Sequence, residues 1–152
     1  MKSSTAMLVR KPVAEVFEAF VDPAVTTQFW FTKGSGRLEA GKQVQWAWEM
    51  YGISIPVDVK VVERDRRIVV EWPVEKGSRT VEWRFEALPD GRGTFVRVSE
   101  SEFEGSGEEL ARQVADSTQG FTLVLAGAKA FLEHGIRLRL VEDRFPGGIE
   151  AH

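Results

Sequence analysis

The sequence has no cysteine, no asparagine and only two histidines, and no apolar run approaches the roughly 20 residues that span a bilayer. Without cysteine there is no disulfide framework, no thiolate nucleophile and no sulfur metal site. His134 falls at the end of the last expected helix and His152 at the chain terminus. Neither lies near a serine elbow or a second ligand, so a Ser-His-Asp triad and a histidine zinc site are set aside. His134 fits better as a cation complementing a helix C-terminus. A basic excess is missing too. Twenty Lys and Arg face 23 Asp and Glu for a net charge of −3, and the basic residues are scattered among acids, which argues against a nucleic-acid partner. Thirteen arginines to seven lysines, with asparagine absent, fits either a GC-rich genome or a warm host. The opening "MKSSTAML" lacks the apolar run of a signal peptide. Gly34-Ser35-Gly36 is too short for a phosphate-binding loop, and the "GSGEE" at 105–109 already carries Glu108 and Glu109 at its positive end. The expectation is a cytoplasmic monomer or homodimer with no cofactor, metal, nucleic acid or membrane partner.

What is present is a globular composition, 43% hydrophobic and 28% charged, over 152 residues, enough for one substantial core. Residues 3–10 read as a weakly alternating strand. After Pro12, the positions Val13, Val16, Phe17 and Phe20 form one apolar helical stripe. Asp22-Pro23 ends that helix and begins a short second one carrying Val25, Phe29 and Trp30. From Gly34 to Phe103 the period falls to two. Val44, Trp46, Trp48 and Met50 alternate with polar neighbours, as do Ile53, Ile55, Val57, Val59 and Val61. Ile68, Val70 and Trp72 follow, then Val81, Trp83 and Phe85, then Thr94, Val96 and Val98. Short turns such as Tyr51-Gly52 and "PDGRG" at 89–93 make this an antiparallel meander, with Glu71, Glu82, Arg84, Glu86 and Arg97 on its wet face. A capping box at Ser106-Gly107-Glu108-Glu109 opens a helix to His134, about 42 Å long, in which Gly120 predicts a weak point with a kink or break. Only that helix is long enough to cover the apolar face, so the physical expectation is a curved sheet gripping a helix, with space left between them.

These patterns carry a resemblance. "VFEAFVDPAVTTQFW", with Phe17, Ala19, Phe20, Asp22, Pro23 and Trp30, resembles the opening signature of the activator of heat-shock protein ATPase (AHSA) group. That group lies within the START-like, or SRPBCC, helix-grip superfamily. "IVVEWP" (68–73), "GRGTFVRVSES" (91–101) and "QGFTLVLAGAKAFLEHG" (119–135) resemble later strands and the C-terminal helix of the same group. The resemblance covers roughly residues 5 to 135 of a single domain at 1–135 and implies an α+β helix-grip fold, β-α-α-β(6)-α, with a hydrophobic pocket between sheet and long helix. Gly120-Phe121 stands where many relatives carry glycine-tryptophan. Phe29-Trp30-Phe31 replaces a common tryptophan pair, and "IRLRLVEDRFPGGIEAH" (136–152) extends past the usual end. Ile136, Leu138 and Leu140 alternate with arginines as in a short strand, expected to cover a sheet edge or, less readily, to meet another subunit.

The expected pocket is lined by Trp46, Trp48, Val57, Val59, Trp72, Trp83, Phe85, Val98, Phe121 and Leu125, with Phe29, Trp30 and Phe31 at its mouth and Trp30 as the ring facing inward. The bland alternative for each ring is simple core. Glu100 shares the parity of Val96 and Val98, and is expected either as an inward polar anchor with a raised pKa or as a solvated strand end. The leading functional expectation is binding of a small apolar or amphipathic molecule without catalysis. Two alternatives stand beside it: docking to a chaperone, and a cyclase- or hydrolase-type reaction using a buried carboxylate.

Overall fold

The computed structural model describes residues 1–149. Strand β1 (Lys2–Val9) leads into helices α1 (Val13–Val21) and α2 (Pro23–Thr26). Asp22 joins the two helices: it ends α1 in an extended conformation, and its Oδ1 accepts from Ala24 N at 2.9 Å to cap α2, with Pro23 at the first position. Then come β2 (Lys33–Gly34), β3 (Gln43–Trp48), a 3-10 turn (Glu49–Tyr51), β4 (Ile53–Glu63), β5 (Arg67–Pro73), β6 (Ser78–Ala87) and β7 (Thr94–Ser101). Helices α3 (Gly107–His134) and α4 (Leu140–Asp143) follow. The sheet order is β1-β7-β6-β5-β4-β3-β2, antiparallel throughout, so the first strand lies beside the last. This is the helix-grip fold.

Alternation sorts the sheet faces. Trp83 opposes Val98 and Phe85 opposes Val96 across β6 and β7, and all four are buried. On the opposite face Glu82 accepts from Arg67 Nε at 2.6 Å and from Arg84 Nε at 2.9 Å. Such surface pairs add little stability but keep that face in water. One expectation fails on β4. The register runs Val59↔Val70 and then Val61↔Val69, a bulge that inserts Lys60 and flips the parity beyond it. Val62, rather than Val61, therefore packs on the core.

Helix α3 is unbroken across its 28 residues, so no break forms at Gly120. Phe121, Val124, Leu125 and Ala128 sink into the sheet. Along the side facing β1 the helix is fastened by polar contacts. Ser3 Oγ and Ser117 Oγ are 2.7 Å apart, as are Thr5 Oγ1 and Thr122 Oγ1. Lys129 Nζ donates to Leu8 O at 2.8 Å, and Arg10 N donates to Glu133 Oε2 at 2.8 Å. The inner positions Ser3 and Thr5 are polar because hydroxyls face them, which is why β1 alternates weakly.

Two local expectations are corrected. Ser106 occupies the N-cap of α3, but its side chain makes no capping hydrogen bond. Gly107 enters the helix at φ +60°, so the dihedrals a capping box requires are not present. The alternating segment after Gly135 is not a strand either. Ile136 and Leu138 are exposed, at 52% and 46%, and Arg139 takes a left-handed φ of 59° that starts α4 and turns the chain back over α3. The last three residues of the expected extension, including His152, lie outside the described residues.

Candidate functional site

Residues 29–31 leave α2 on a tight helical turn, so their side chains point in different directions. Phe29 meets Phe20 edge-on at 5.3 Å and packs under α3 beside Gly127. Phe31 stacks on Trp46 at 4.6 Å and 20°. Both are buried, so neither stands at a pocket mouth. Trp30 lies between them and touches five rings: Phe31, Trp46, Trp48, Trp83 and Phe121, with centroids 4.9–6.2 Å away. It is both the centre of the aromatic cluster and part of the wall of a pocket.

That pocket, of about 370 Å³, lies between α3 and the β3–β4 hairpin. Trp48, Tyr51, Ile53 and Ile55 contribute the hairpin wall, and Trp30 and Trp72 form its floor. Asp116, Ser117, Gly120, Phe121, Leu123 and Val124 come from α3, while Val141, Arg144, Phe145 and Ile149 lie across it from the C-terminal segment. Trp72 and Phe121 are nearly parallel there, 18° apart with centroids at 6.3 Å. Of the residues singled out in the sequence, Trp30, Trp48, Trp72 and Phe121 come together at this pocket. Phe29, Trp46, Val57, Val59, Trp83, Phe85, Val98 and Leu125 are instead packed into the buried core around it. Toward β6 and β7 the inner face is covered by side chains of α1 and α3, and this pocket lies at its other side, toward the hairpin.

Glu100 points inward and is only 4% exposed. Ser117 Oγ donates to its Oε1 at 2.6 Å, and Arg79 Nη1 lies 3.9 Å from Oε2. Because the one proton of Ser117 goes to Glu100, Ser3 donates to Ser117, giving a buried chain Ser3–Ser117–Glu100. Burial pushes the Glu100 carboxyl above its ordinary value; hydrogen bonds from Ser117 and Trp72 and the charge of Arg79 pull the other way without cancelling it. Ser117 thus sets a polar group beside the aromatic rings of the wall, and Glu100 stands behind it.

The C-terminal segment 140–149 had no sequence signal as a wall. It is held from two sides. The Tyr51 hydroxyl donates to the carbonyls of Val141 and Glu142, and the Tyr51 and Phe145 rings are 5.9 Å apart. Arg144 Nη2 donates to Asp116 Oδ1 at 2.8 Å, to Asp116 O at 3.0 Å and to Gln119 Oε1 at 2.9 Å. Gly120 makes room for this: a Cβ there would lie 2.8 Å from Arg144 Nη1. The glycine that reads as a weak point in the helix is the seat of an arginine. Ser117 and Gly120, small residues one helical turn apart on the face of Phe121, were the available hint that something packs close by.

Residues 10–133 match the family described as Activator of Hsp90 ATPase homolog 1-like protein. The chain belongs to this family. Among solved structures it is similar to protein SSP2350 from Staphylococcus saprophyticus, with 29% identity over 91% of this chain and 96% of that one and a TM-score of 0.78. It is also similar to the Aha1 dimer from Colwellia psychrerythraea, with 14% identity over 89% of this chain and 98% of that one and a TM-score of 0.73. DynU16, from the dynemicin biosynthetic locus, shares 22% identity over 90% of this chain and 48% of its own length, with a TM-score of 0.73. The last two likenesses speak to the fold alone. Among curated proteins there is no match to this chain. Within the described residues no helix is long and apolar enough to cross a membrane. The family match ends before the segment that covers the pocket.

Proposed function

We propose that this member of the family binds a small apolar or amphipathic molecule in the pocket between α3 and the β3–β4 hairpin. The observation that carries the reading is the wall itself: Trp30, Trp48, Trp72 and Phe121 converge on about 370 Å³ of space, with a few polar groups, Ser117 among them, beside the rings. Sites for small molecules have this character, mostly apolar and aromatic with a few fixed polar groups, and the volume is at the small end of their range of roughly 300–1,000 Å³. A compact ring compound suits it better than a long-chain lipid. Titrating N-phenyl-1-naphthylamine tests the reading. The dye is expected to brighten saturably in the wild-type protein and to lose binding in Ile55→Trp, which fills the pocket while the fold persists. Saturable binding that Ile55→Trp leaves intact, or no binding to the wild type, overturns it.

A second reading is favoured by the family description: association with a chaperone and a change in its ATPase rate. A steady-state ATPase assay with the purified chaperone decides it, and an unchanged rate with no co-migration in gel filtration removes it. The enclosed carboxyl of Glu100 favours a third, in which that group moves protons on a bound substrate. Turnover that survives Glu100→Gln unchanged removes the third.

A further inference from the structure

Among the described residues lining the pocket, two are charged, Asp116 and Arg144, and they are paired with one another. They are unequally placed. The Asp116 side chain is 66% exposed, whereas that of Arg144 is 15% exposed, lying against α3 at Gly120 with its guanidinium 4.7 Å from the Phe145 ring centre. All three hydrogen bonds described for Arg144 leave from a single nitrogen, Nη2. Its Nε–H is buried and has no partner among the described residues. A buried guanidinium donor left without an acceptor is unusual, and it sits beside the Nη2 donors in the fork geometry that takes a carboxylate or sulfonate side-on. The carboxylate oxygen that Nη2 now holds at 2.8 Å, Asp116 Oδ1, belongs to an exposed side chain that returns to water at little cost once displaced.

We infer that the pocket takes a small amphipathic anion, with an aromatic or alicyclic body against Trp72 and Phe121 and a single carboxylate or sulfonate on Arg144 in exchange for Asp116. The inference rests on the ligand-binding reading above and narrows its class. A cationic ligand is disfavoured, because Asp116 would have to give up Arg144 and leave that guanidinium half-enclosed without its counter-charge. The C-terminal segment thereby supplies specificity: it carries the one cation that faces the bound molecule among the described lining residues.

A matched pair of probes tests this. 8-Anilinonaphthalene-1-sulfonate and N-phenyl-1-naphthylamine share a ring system and differ in the sulfonate. Arg144→Gln is expected to weaken the sulfonate probe about tenfold, the worth of a charge-assisted contact, and to leave the neutral probe within about twofold. Asp116→Asn removes the internal competitor and is expected to tighten the sulfonate probe severalfold while the neutral probe stays level. A role in merely holding the segment down predicts no such gain. Equal losses of both probes in Arg144→Gln, or no gain in Asp116→Asn, overturn the anion assignment while leaving the pocket intact. Failure of both probes to bind the wild type overturns the ligand-binding reading itself.

Discussion

The hydroxyl of Ser117 donates to Glu100 Oε1 at 2.6 Å, joining the middle of α3 to the end of β7 where both side chains are buried. Removing that hydroxyl by Ser117→Ala leaves Glu100 and Ser3 each short of a partner in a closed space. The expected cost is about 1–3 kcal/mol, read from urea unfolding at neutral pH.

Glu100 and Glu133 lie on opposite sides of their ordinary values and give stability curves of opposite slope. Burial raises Glu100, so folding favours its protonated form. Its contribution is complete below the unfolded carboxyl value and is lost as pH rises through the raised folded value. Glu100→Gln should therefore gain on the wild type between pH 4 and pH 8. At Glu133 burial pushes up, but the Arg10 N–H and Lys129 outweigh it and hold the carboxyl low. That contribution is present above the unfolded value and lost as pH falls through the depressed one, so Glu133→Gln should show its deficit at neutral pH and converge with the wild type in acid. Parallel pH profiles for the two variants would contradict both assignments.

Trp30 is the ring on which five others rest, whereas Trp48 is only half-buried at the pocket edge. Trp30→Ala is expected to cost about 3–5 kcal/mol, the range for emptying an aromatic site in a core, and Trp48→Ala less than half as much. Denaturant midpoints at constant slope make the comparison.

Gly120→Ala sets two effects against each other. Alanine favours the helix by about 1 kcal/mol, yet its Cβ would lie 2.8 Å from Arg144 Nη1. The atom in the way is the far end of a flexible side chain, so the arginine moves and the helix stays. Overall stability should be level or slightly raised, while hydrogen-exchange protection falls across residues 140–145. Undiminished protection there would show that the arginine is not seated on this glycine.

A chain ending at Gly135 should still fold. The strand pairings and the contacts of α3 with β1 and β7 lie upstream, and what is lost is the cover on Tyr51, Trp72 and Phe121. The expected loss is on the order of 2–4 kcal/mol with cooperative unfolding retained; a non-cooperative urea transition would show that residues 136–149 are integral to the core.

Periodicity carried most of the architecture because the sheet has one wet face: Val81, Trp83 and Phe85 could only turn inward if Glu82 and Arg84 turned outward. It failed where a face had another use. Ser3 and Thr5 blurred β1 because their inward hydroxyls meet Ser117 and Thr122. Lys60 flipped the parity of β4, an event that no local residue choice announces. Ile136, Leu138 and Leu140 copied a strand pattern, but among the described residues they pair with no strand; the left-handed Arg139 sends the chain elsewhere. At the site, parity identified which rings face inward, yet it could not say where side chains fill the space and where they leave it. That depends on α1 and α3 crowding one end of the sheet, a relationship between segments about a hundred residues apart.

The pocket is built from two kinds of material. Its aromatic floor belongs to the part of the chain that matches the family, residues 10–133, and cannot change without loosening the core. Its outer wall, from Val141 to Ile149, lies beyond that match and takes part in no strand pairing. Substitutions there are cheap for the fold and direct in their effect on what the floor meets. If the pocket binds as proposed, its selectivity can drift while the sheet and long helix stand still, and a designer wishing to retarget the site has about ten residues to rewrite.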